Sequence, residues 1–237
     1  MNVPVLSKLT FDIYRGEFTM LLVDRSQELL MNTLDDLLTG IAVADRGTIN
    51  VLGEYLMPGN TVMTTPYMMG YCHRSDTLIE DLTVQEHFVV FSKICLWHQK
   101  KRNIFQYVHI RSKRLLKDCD LESVRFERVR NLNIYYRAQL CWAMAVLLEP
   151  RVVVIPNFTD PPEYVAVIKD KIMRYKNYIT IVALYYSSIQ LEYADRVFVF
   201  DRKKLIFGGT PAYMFFRYGN VLYNTFLRAV ATSAEAA

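Results

Sequence analysis

Two periodicities of apolar residues alternate along the chain. Continuous apolar runs such as "VVVI" and "ITIVAL" predict strands that are buried on both faces. Segments with an apolar residue every three or four positions, such as "VQEHFVVFSKICLWH" and "EYVAVIKDKIMRYK", predict amphipathic helices between these strands. Alternating strands and helices of this kind are typical of an α/β domain built on a parallel sheet.

The N-terminal part predicts "VLSKLTFDIYRGEFTMLLV" as two strands around a turn at Arg15-Gly16. A helix follows and is predicted to end at Gly40, because glycine commonly terminates helices in the left-handed conformation. The segment "DRGTINVLGEYL" then predicts a turn and a further strand, with Gly47 and Gly53 marking the breaks.

In the rest of the chain, Thr83 is predicted to cap a helix, and residues 98–130 are predicted to be helical. A buried helix is predicted in "YYRAQLCWAMAVLLEP" and a short one in "SSIQLEYA". The segments "RVVVIP", "YITIVALYY", "DRVFVFD" and "KLIFGG" predict strands, and a last helical segment precedes the tail "ATSAEAA". No internal repeat is visible.

Composition is compatible with a well-packed core, since 52% of the 237 residues are apolar and 22% are charged. The net charge of +4 permits an acidic partner without requiring nucleic acid, and we expect none. The N-terminus has no signal-peptide pattern, and no apolar run reaches the roughly 18 residues of a membrane-spanning helix.

Cysteine and histidine residues are scattered along the chain rather than paired at ligand spacing. The four cysteines are Cys72, Cys95, Cys119 and Cys141, and the four histidines are His73, His87, His98 and His109. We therefore expect no metal site, and reduced thiols in a cytosolic protein.

Basic residues are concentrated in a stretch that has no acidic residue between Glu86 and Asp118. They include Lys100, Lys101, Arg102, Arg111, Lys113, Arg114 and Lys117. This pattern is compatible with a solvated helix face or with a contact surface for an acidic partner. The neighbouring Phe105 and Tyr107 also leave open a free-standing module that binds RNA or a membrane surface.

The segment "LLVDRSQELLMNTLDDLLTG" passes from a predicted strand into a predicted helix, which is the topology of a phosphate-binding loop. The loop itself contains no glycine and no lysine. The chain has no lysine at all between Lys8 and Lys93, so no shift in alignment supplies one.

Eight fragments in order resemble the nucleotide-binding domain of ABC transporters, and most closely that of subfamily A. They are "GEFTMLL", "LLTG", "RGTINVLG", "MGYC", "EDLTVQEHF", "LLEPRVVVIPN", "TIVAL" and "YADRVFVFDRKKLIFGGTPAYM". The resemblance covers residues 5 to about 215. It implies a P-loop NTPase-like α/β core with a mixed, mainly parallel sheet, a helical subdomain and a small antiparallel β part.

The resemblance also implies one nucleotide-binding domain over residues 1–237. Its core lobe is expected at about 1–75 and 145–215, its helical subdomain at 76–144, and a C-terminal helix with a frayed tail at 216–237. Family members bind ATP and Mg²⁺ between two domains that face head to tail.

The phosphate loop of the family, G-x-x-G-x-G-K-[ST]-[ST], can be placed on this chain in two registers. Counting forward from the preceding turn puts its first glycine at Val23 and its lysine at Leu29. Counting back from the helix end puts the lysine at Met31, followed by Asn32 and Thr33. Either register places an apolar side chain where the phosphate-binding ammonium group is required.

Without glycines, the loop is expected to change shape, because each non-glycine residue in a left-handed conformation costs roughly 1–2 kcal/mol. We expect the helix to begin early, at Ser26, with Glu28 in its first turn. Arg25 is the only cation near the loop.

Two further family motifs are altered. Arg74 stands where the resemblance places the glutamine that senses the γ-phosphate. The signature L-S-G-G-Q aligns with Leu132, Asn133, Ile134, Tyr135 and Tyr136. Its glycines, which bring backbone close to phosphate, are therefore replaced by bulky side chains.

The catalytic positions are altered as well. The Mg²⁺-supporting aspartate aligns with Pro156 and the catalytic glutamate with Asn157, which can orient a water but cannot take its proton. The switch histidine falls at Tyr185 or Tyr186, and Asp160 is the remnant of an aspartate-rich loop.

These substitutions predict a cassette that has lost ATP hydrolysis and binds ATP weakly or not at all, so ATP and Mg²⁺ are cofactors by resemblance only. Its expected partners are transmembrane domains and a second nucleotide-binding domain, at the cytoplasmic face of a membrane. The segment that stacks on adenine is not evident, which suggests a fragment of a longer protein. A divergent but active ATPase and the basic binding module are the alternatives.

Overall fold

The computed structural model describes residues 5–55, 68–96, 104–156, 161–185, 191–201 and 203–218. Its strands are β1 (Phe18–Val23), β2 (Asn50–Val51), β3 (Glu54–Tyr55), β4 (Met69–Tyr71), β5 (Val152–Ile155), β6 (Thr180–Tyr185), β7 (Arg196–Asp201) and β8 (Lys204–Gly209). Its helices are α1 (Glu28–Thr39), α2 (Val84–Cys95), α3 (Ile104–Asp118), α4 (Ile134–Val146), α5 (Pro162–Tyr175) and α6 (211–218).

The main sheet has the strand order β4-β5-β6-β1-β7-β8, and β2 pairs with β3 in a small antiparallel sheet. The chain divides into two compact units. The first unit lies within residues 1–61, 154–157 and 176–237, and the second lies within 62–153 and 158–175. The expected mixed, mainly parallel fold with a small antiparallel part is confirmed.

In the first unit, β1 lies between two parallel neighbours, β6 and β7, and β8 pairs antiparallel with β7. Every residue of β1 and of β6 is buried, which explains why both strands are continuous apolar runs. Asp195 fixes the start of β1, because its carboxylate accepts from Phe18 N at 2.8 Å and forms an ion pair with Lys176 at 2.7 Å.

In the second unit, residues 138–146 of α4 are buried except for Met144, as expected for a core helix. The Trp142 side chain is fully buried and its ring lies 5.4 Å from that of Tyr175. No helix among the described residues is long and apolar enough to cross a membrane.

Two predicted helix boundaries are confirmed by the capping geometry. Thr83 begins α2 with a capping box, in which its hydroxyl accepts from Glu86 N and the Glu86 carboxylate accepts from Thr83 N. Gly40 ends α1 in the left-handed conformation, at φ 75°.

Two predicted elements are wrong. The strand expected before Arg15-Gly16 is absent from residues 5–14, where alternate side chains are half-buried but no ladder forms. The alternation of apolar and polar residues in this segment instead reflects packing contacts, such as that of the Phe11 ring, whose centre lies 4.9 Å from that of the Phe198 ring. The helix expected in "SSIQLEYA" is, in its described part, a 3₁₀ turn over Leu191–Tyr193.

The helix expected over 98–130 ends early, at Asp118. Asp120 has φ 52°, a left-handed conformation that ends the helix, and Leu121 N donates a hydrogen bond to Leu116 O at 2.7 Å. The buried Lys171 ammonium donates to Asp118 O at 3.1 Å, so a positive charge satisfies the negative end of α3.

None of the four cysteines, all of which lie in the described part of the chain, forms a disulfide. Burial raises the pKa of the Cys119 thiol to about 11, so this group stays protonated at neutral pH.

Candidate functional site

The loop after β1 closes on itself through a carboxylate. Asp24 caps a 3₁₀ turn over Arg25–Gln27: its Oδ1 accepts from Ser26 N at 2.8 Å and also from the Ser26 hydroxyl. Gln27 Nε2 donates to Asp201 Oδ1 at 2.9 Å, which ties the turn to the end of β7. The helical turn therefore begins one residue before the predicted start at Ser26.

The first turn of α1 has acidic and apolar character. Glu28 lies in this turn, and a carboxylate there is favoured by the positive end of the helix. Leu29 is 67% exposed whereas Met31 is 1% exposed and packs in the core. Asn32 is exposed, and the Thr33 hydroxyl donates to Leu29 O at 2.7 Å. Of the two positions predicted for the lysine, only Leu29 thus lies at the surface.

The remaining predicted positions of the first unit lie at strand ends and are apolar. Val23 and Tyr185, which end β1 and β6, are both buried. Pro156 directly follows β5 and is buried too. Asn157, Tyr186 and Asp160 lie outside the described residues.

In the second unit, Arg74 precedes a 3₁₀ turn over Ser75–Thr77. Its guanidinium forms an ion pair with Asp76 at 3.2 Å, and both side chains are largely exposed. An exposed pair of this kind contributes at most about 1 kcal/mol. Arg74 therefore has the charge and the pairing of a surface residue.

The residues aligned with the signature form the start of α4. Asn133 is its N-cap and accepts from Tyr136 N at 3.0 Å, while Leu132 is buried. Ile134 is half-buried, and the exposed Tyr135 hydroxyl donates to Asp120 Oδ2 at 3.2 Å.

Arg137 holds this segment by a two-pronged ion pair with Glu80, at 2.6 and 2.9 Å, and donates to Leu132 O at 3.2 Å. These bonds lower the pKa of the Glu80 carboxyl. Side-chain hydrogen bonds thus hold the segment that leads into α4.

His87 fixes the segment that follows Arg74. Its Nε2 accepts from Ile79 N at 3.0 Å, so Nδ1 carries the proton and donates to Thr83 O at 2.9 Å. Burial lowers the pKa of His87 below its ordinary value of 6.5, because desolvation disfavours the charged imidazolium.

We expect the stability of the chain to fall as the pH drops below about 6.5, because the unfolded state binds the proton first. His87→Gln retains a side-chain acceptor and is expected to reduce this dependence between about pH 7 and 5. Urea unfolding at a series of pH values measures it. The pKa of His73 is also lowered by burial, so His73 still contributes to the pH dependence of stability in the variant. A pH dependence that is the same in the variant and the parent chain would contradict the role of His87.

The described residues do not fit an ATP–Mg²⁺ group. Ser26 N is used by a side chain of its own loop, and the two positions predicted for the lysine hold the exposed Leu29 and the buried Met31. Among the described residues, no cluster of three or more histidine, cysteine, aspartate or glutamate side chains could hold a metal ion.

Sequence reasoning missed Asp24. The signal was present as an aspartate two residues before a serine, "DRS", since aspartate side chains commonly accept from the backbone two residues on.

Comparison with known proteins places the chain among relatives that are much longer. The glucosylceramide transporter ABCA12 of Homo sapiens is 27% identical over 234 residues, which are 98% of this chain and 9% of the relative. The cholesterol transporter ABCA5 of Mus musculus is 25% identical over 221 residues, 92% of this chain and 13% of the relative. The ATP-binding cassette sub-family A member 13 of Homo sapiens is 27% identical over 228 residues, 94% of this chain and 4% of the relative.

Solved structures show the fold. An ATP-binding cassette of an ABC transporter in its ADP conformation superposes with a TM-score of 0.74 at 14% identity, covering 96% of this chain and 92% of that one. The cbiO1 protein of Clostridium perfringens, part of an ABC transporter complex, gives 0.71 at 18% identity, covering 98% and 92%. No protein-family model matches the chain.

Proposed function

Because the chain has the fold of an ATP-binding cassette and its homologues are cassettes of subfamily A, we propose that it is a cassette without hydrolytic activity. It serves as a structural or regulatory half of a transport assembly at the cytoplasmic face of a membrane. Its partners are transmembrane domains and a second cassette, in the same longer chain or another. Two of the relatives are transporters of glucosylceramide and of cholesterol, which supports a lipid as the cargo.

The observation that carries this proposal is the bond from Ser26 N to Asp24 Oδ1. In a phosphate-binding loop, backbone N–H groups and the positive end of the following helix face the anion. Here one of these donors is satisfied by a carboxylate, and Glu28 adds a second negative charge in the first turn. An incoming phosphate would have to displace the first carboxylate and approach the second.

Titration of the chain with an N-methylanthraniloyl derivative of ATP in the presence of Mg²⁺ tests the proposal. We expect no saturable fluorescence change below about 1 mM nucleotide, which corresponds to a binding free energy weaker than about −4 kcal/mol. A competent cassette in the same buffer is the positive control. Saturable binding at micromolar nucleotide, with turnover, would establish the divergent ATPase instead.

A further inference from the structure

A cleft between α2 and α3 lies within the second unit and has a volume of about 220 Å³. Its floor is apolar and includes Phe88, Val108 and Leu116, all buried. Its rim contains Lys93 from α2, Lys113 from α3 and Arg125 from the loop after α3. Cations from three separate elements therefore surround one apolar floor.

The charge of this cleft is not neutralised from within. No aspartate or glutamate lines it among the described residues. Neither Lys93 nor Lys113 makes an ion pair with any residue that the structure describes, and the contact of Arg125 with Glu122 is long, at 3.5 Å. The local charge favours an anion at the rim.

Arg125 presents a donor that is fixed in position and unused. Its guanidinium lies 4.2 Å from the centre of the Phe126 ring, and its carbonyl accepts from Gln85 N at 3.0 Å. Arg125 Nε is buried and has no hydrogen-bond partner among the described residues. The Nε atom has almost no accessible surface, so a ligand in the cleft meets the exposed part of the same guanidinium, which can donate to a ligand oxygen.

The two hydroxyl groups of the cleft are already occupied. The Ser92 hydroxyl donates to Phe88 O, and the Ser112 hydroxyl donates to Val108 O at 2.7 Å. At the start of α2, Val84 N donates to Glu127 O at 3.2 Å, so this helix terminus is not an anion site. The cleft thus offers cationic donors at its rim and hydrocarbon contact below them.

We propose that this cleft binds the anionic end of a free single-chain amphiphile, that is, a carboxylate or phosphate monoester on a hydrocarbon chain. The volume lies below the roughly 300 Å³ of typical ligand pockets, so the cleft holds the head and the first methylene groups. The rest of the chain lies along exposed apolar surface, where Val89 is 45% and the neighbouring Phe126 is 68% exposed. This site does not depend on the nucleotide state proposed above.

The test uses the full chain and 11-(dansylamino)undecanoic acid, with the methyl ester of this probe as an uncharged match. We expect saturable binding of the acid and binding of the ester that is weaker by about tenfold or more, since hydrogen bonds to charged groups are the strong ones. Lys113→Gln is expected to weaken binding of the acid several-fold, whereas Lys117→Gln, one turn further along α3 and outside the cleft, leaves it unchanged.

Tryptophan variants distinguish binding in the cleft from non-specific binding to the protein surface. Val89→Trp, at the lining, is expected to abolish binding, while Ile110→Trp, which is exposed on α3 but outside the lining, retains it. Arg125→Gln is expected to bind the acid as weakly as the parent chain binds the ester. Circular dichroism checks that this variant folds. If it does not fold, the effect of Lys113→Gln on binding of the acid decides the test. Equal binding of acid and ester, or equal effects of the two lysine variants, overturns the proposal. Binding only to vesicles that contain anionic lipid, without binding of the free acid, overturns it as well.

Discussion

Incubated with Mg²⁺ and ATP, the 237-residue chain is expected to release phosphate at least about a thousandfold more slowly than a competent cassette. A positioned general base alone contributes roughly 10²–10⁴-fold to such reactions, and Asn157 cannot accept a proton. Pro156 offers no side-chain oxygen to support Mg²⁺. The loss at these two positions adds to that at Leu29, where the phosphate-binding ammonium is missing.

Single reversions are expected not to restore turnover. Leu29→Lys supplies an exposed ammonium, but Asp24 still holds Ser26 N and still faces the phosphate with a negative charge. Phosphate release by the parent chain, by Leu29→Lys and by Leu29→Glu is measured with a coupled assay. Any activity that is equal in all three belongs to a contaminant. Release by the parent within tenfold of the competent cassette, and abolished in Leu29→Glu, would contradict the proposed loss of function.

The element types were predictable from sequence where one physical effect dominates. β1 and β6 are fully buried strands, and their continuous apolar runs predict strands that are buried on both faces of a parallel sheet. The capping box at Thr83 uses adjacent residues and is readable directly from "TVQE". Such features depend on local chemistry or on burial of a whole element.

Features that depend on distant partners were not predictable. Residues 5–14 have the period of a strand, but a ladder requires a partner strand that the sequence does not reveal. The sequence left two alignments of the phosphate loop open, because counting residues from either flank does not show where the loop has changed in length. The structure distinguishes the two positions, since Leu29 is exposed and Met31 is buried. Lys113 and Arg125 line one cleft from different elements, and no periodicity links them.

Replacing Gly70 by alanine is expected to lower the free energy of unfolding by about 3 kcal/mol, at the upper end of the range for overpacking. A Cβ atom at this position in β4 would lie 2.1 Å from Ala145 O and 2.8 Å from Pro150 Cγ. The closest atom belongs to the backbone of α4, the buried core helix of the second unit. It cannot rotate away as a side chain would, so either β4 or α4 must shift. Urea unfolding with the slope held to a two-state fit measures the loss.

Gly47→Ala is the matched control, because the two glycines differ in the reason for which they are needed. Gly47 has φ 94° and open space around its Cβ position, so alanine there introduces backbone strain without a clash, at roughly 1–2 kcal/mol. Gly70 does not have a positive φ, so alanine there introduces a clash without backbone strain. A loss at Gly70 that is no larger than the loss at Gly47 would mean that α4 yields to the methyl group. The close approach of β4 to α4 would then not explain why Gly70 is a glycine.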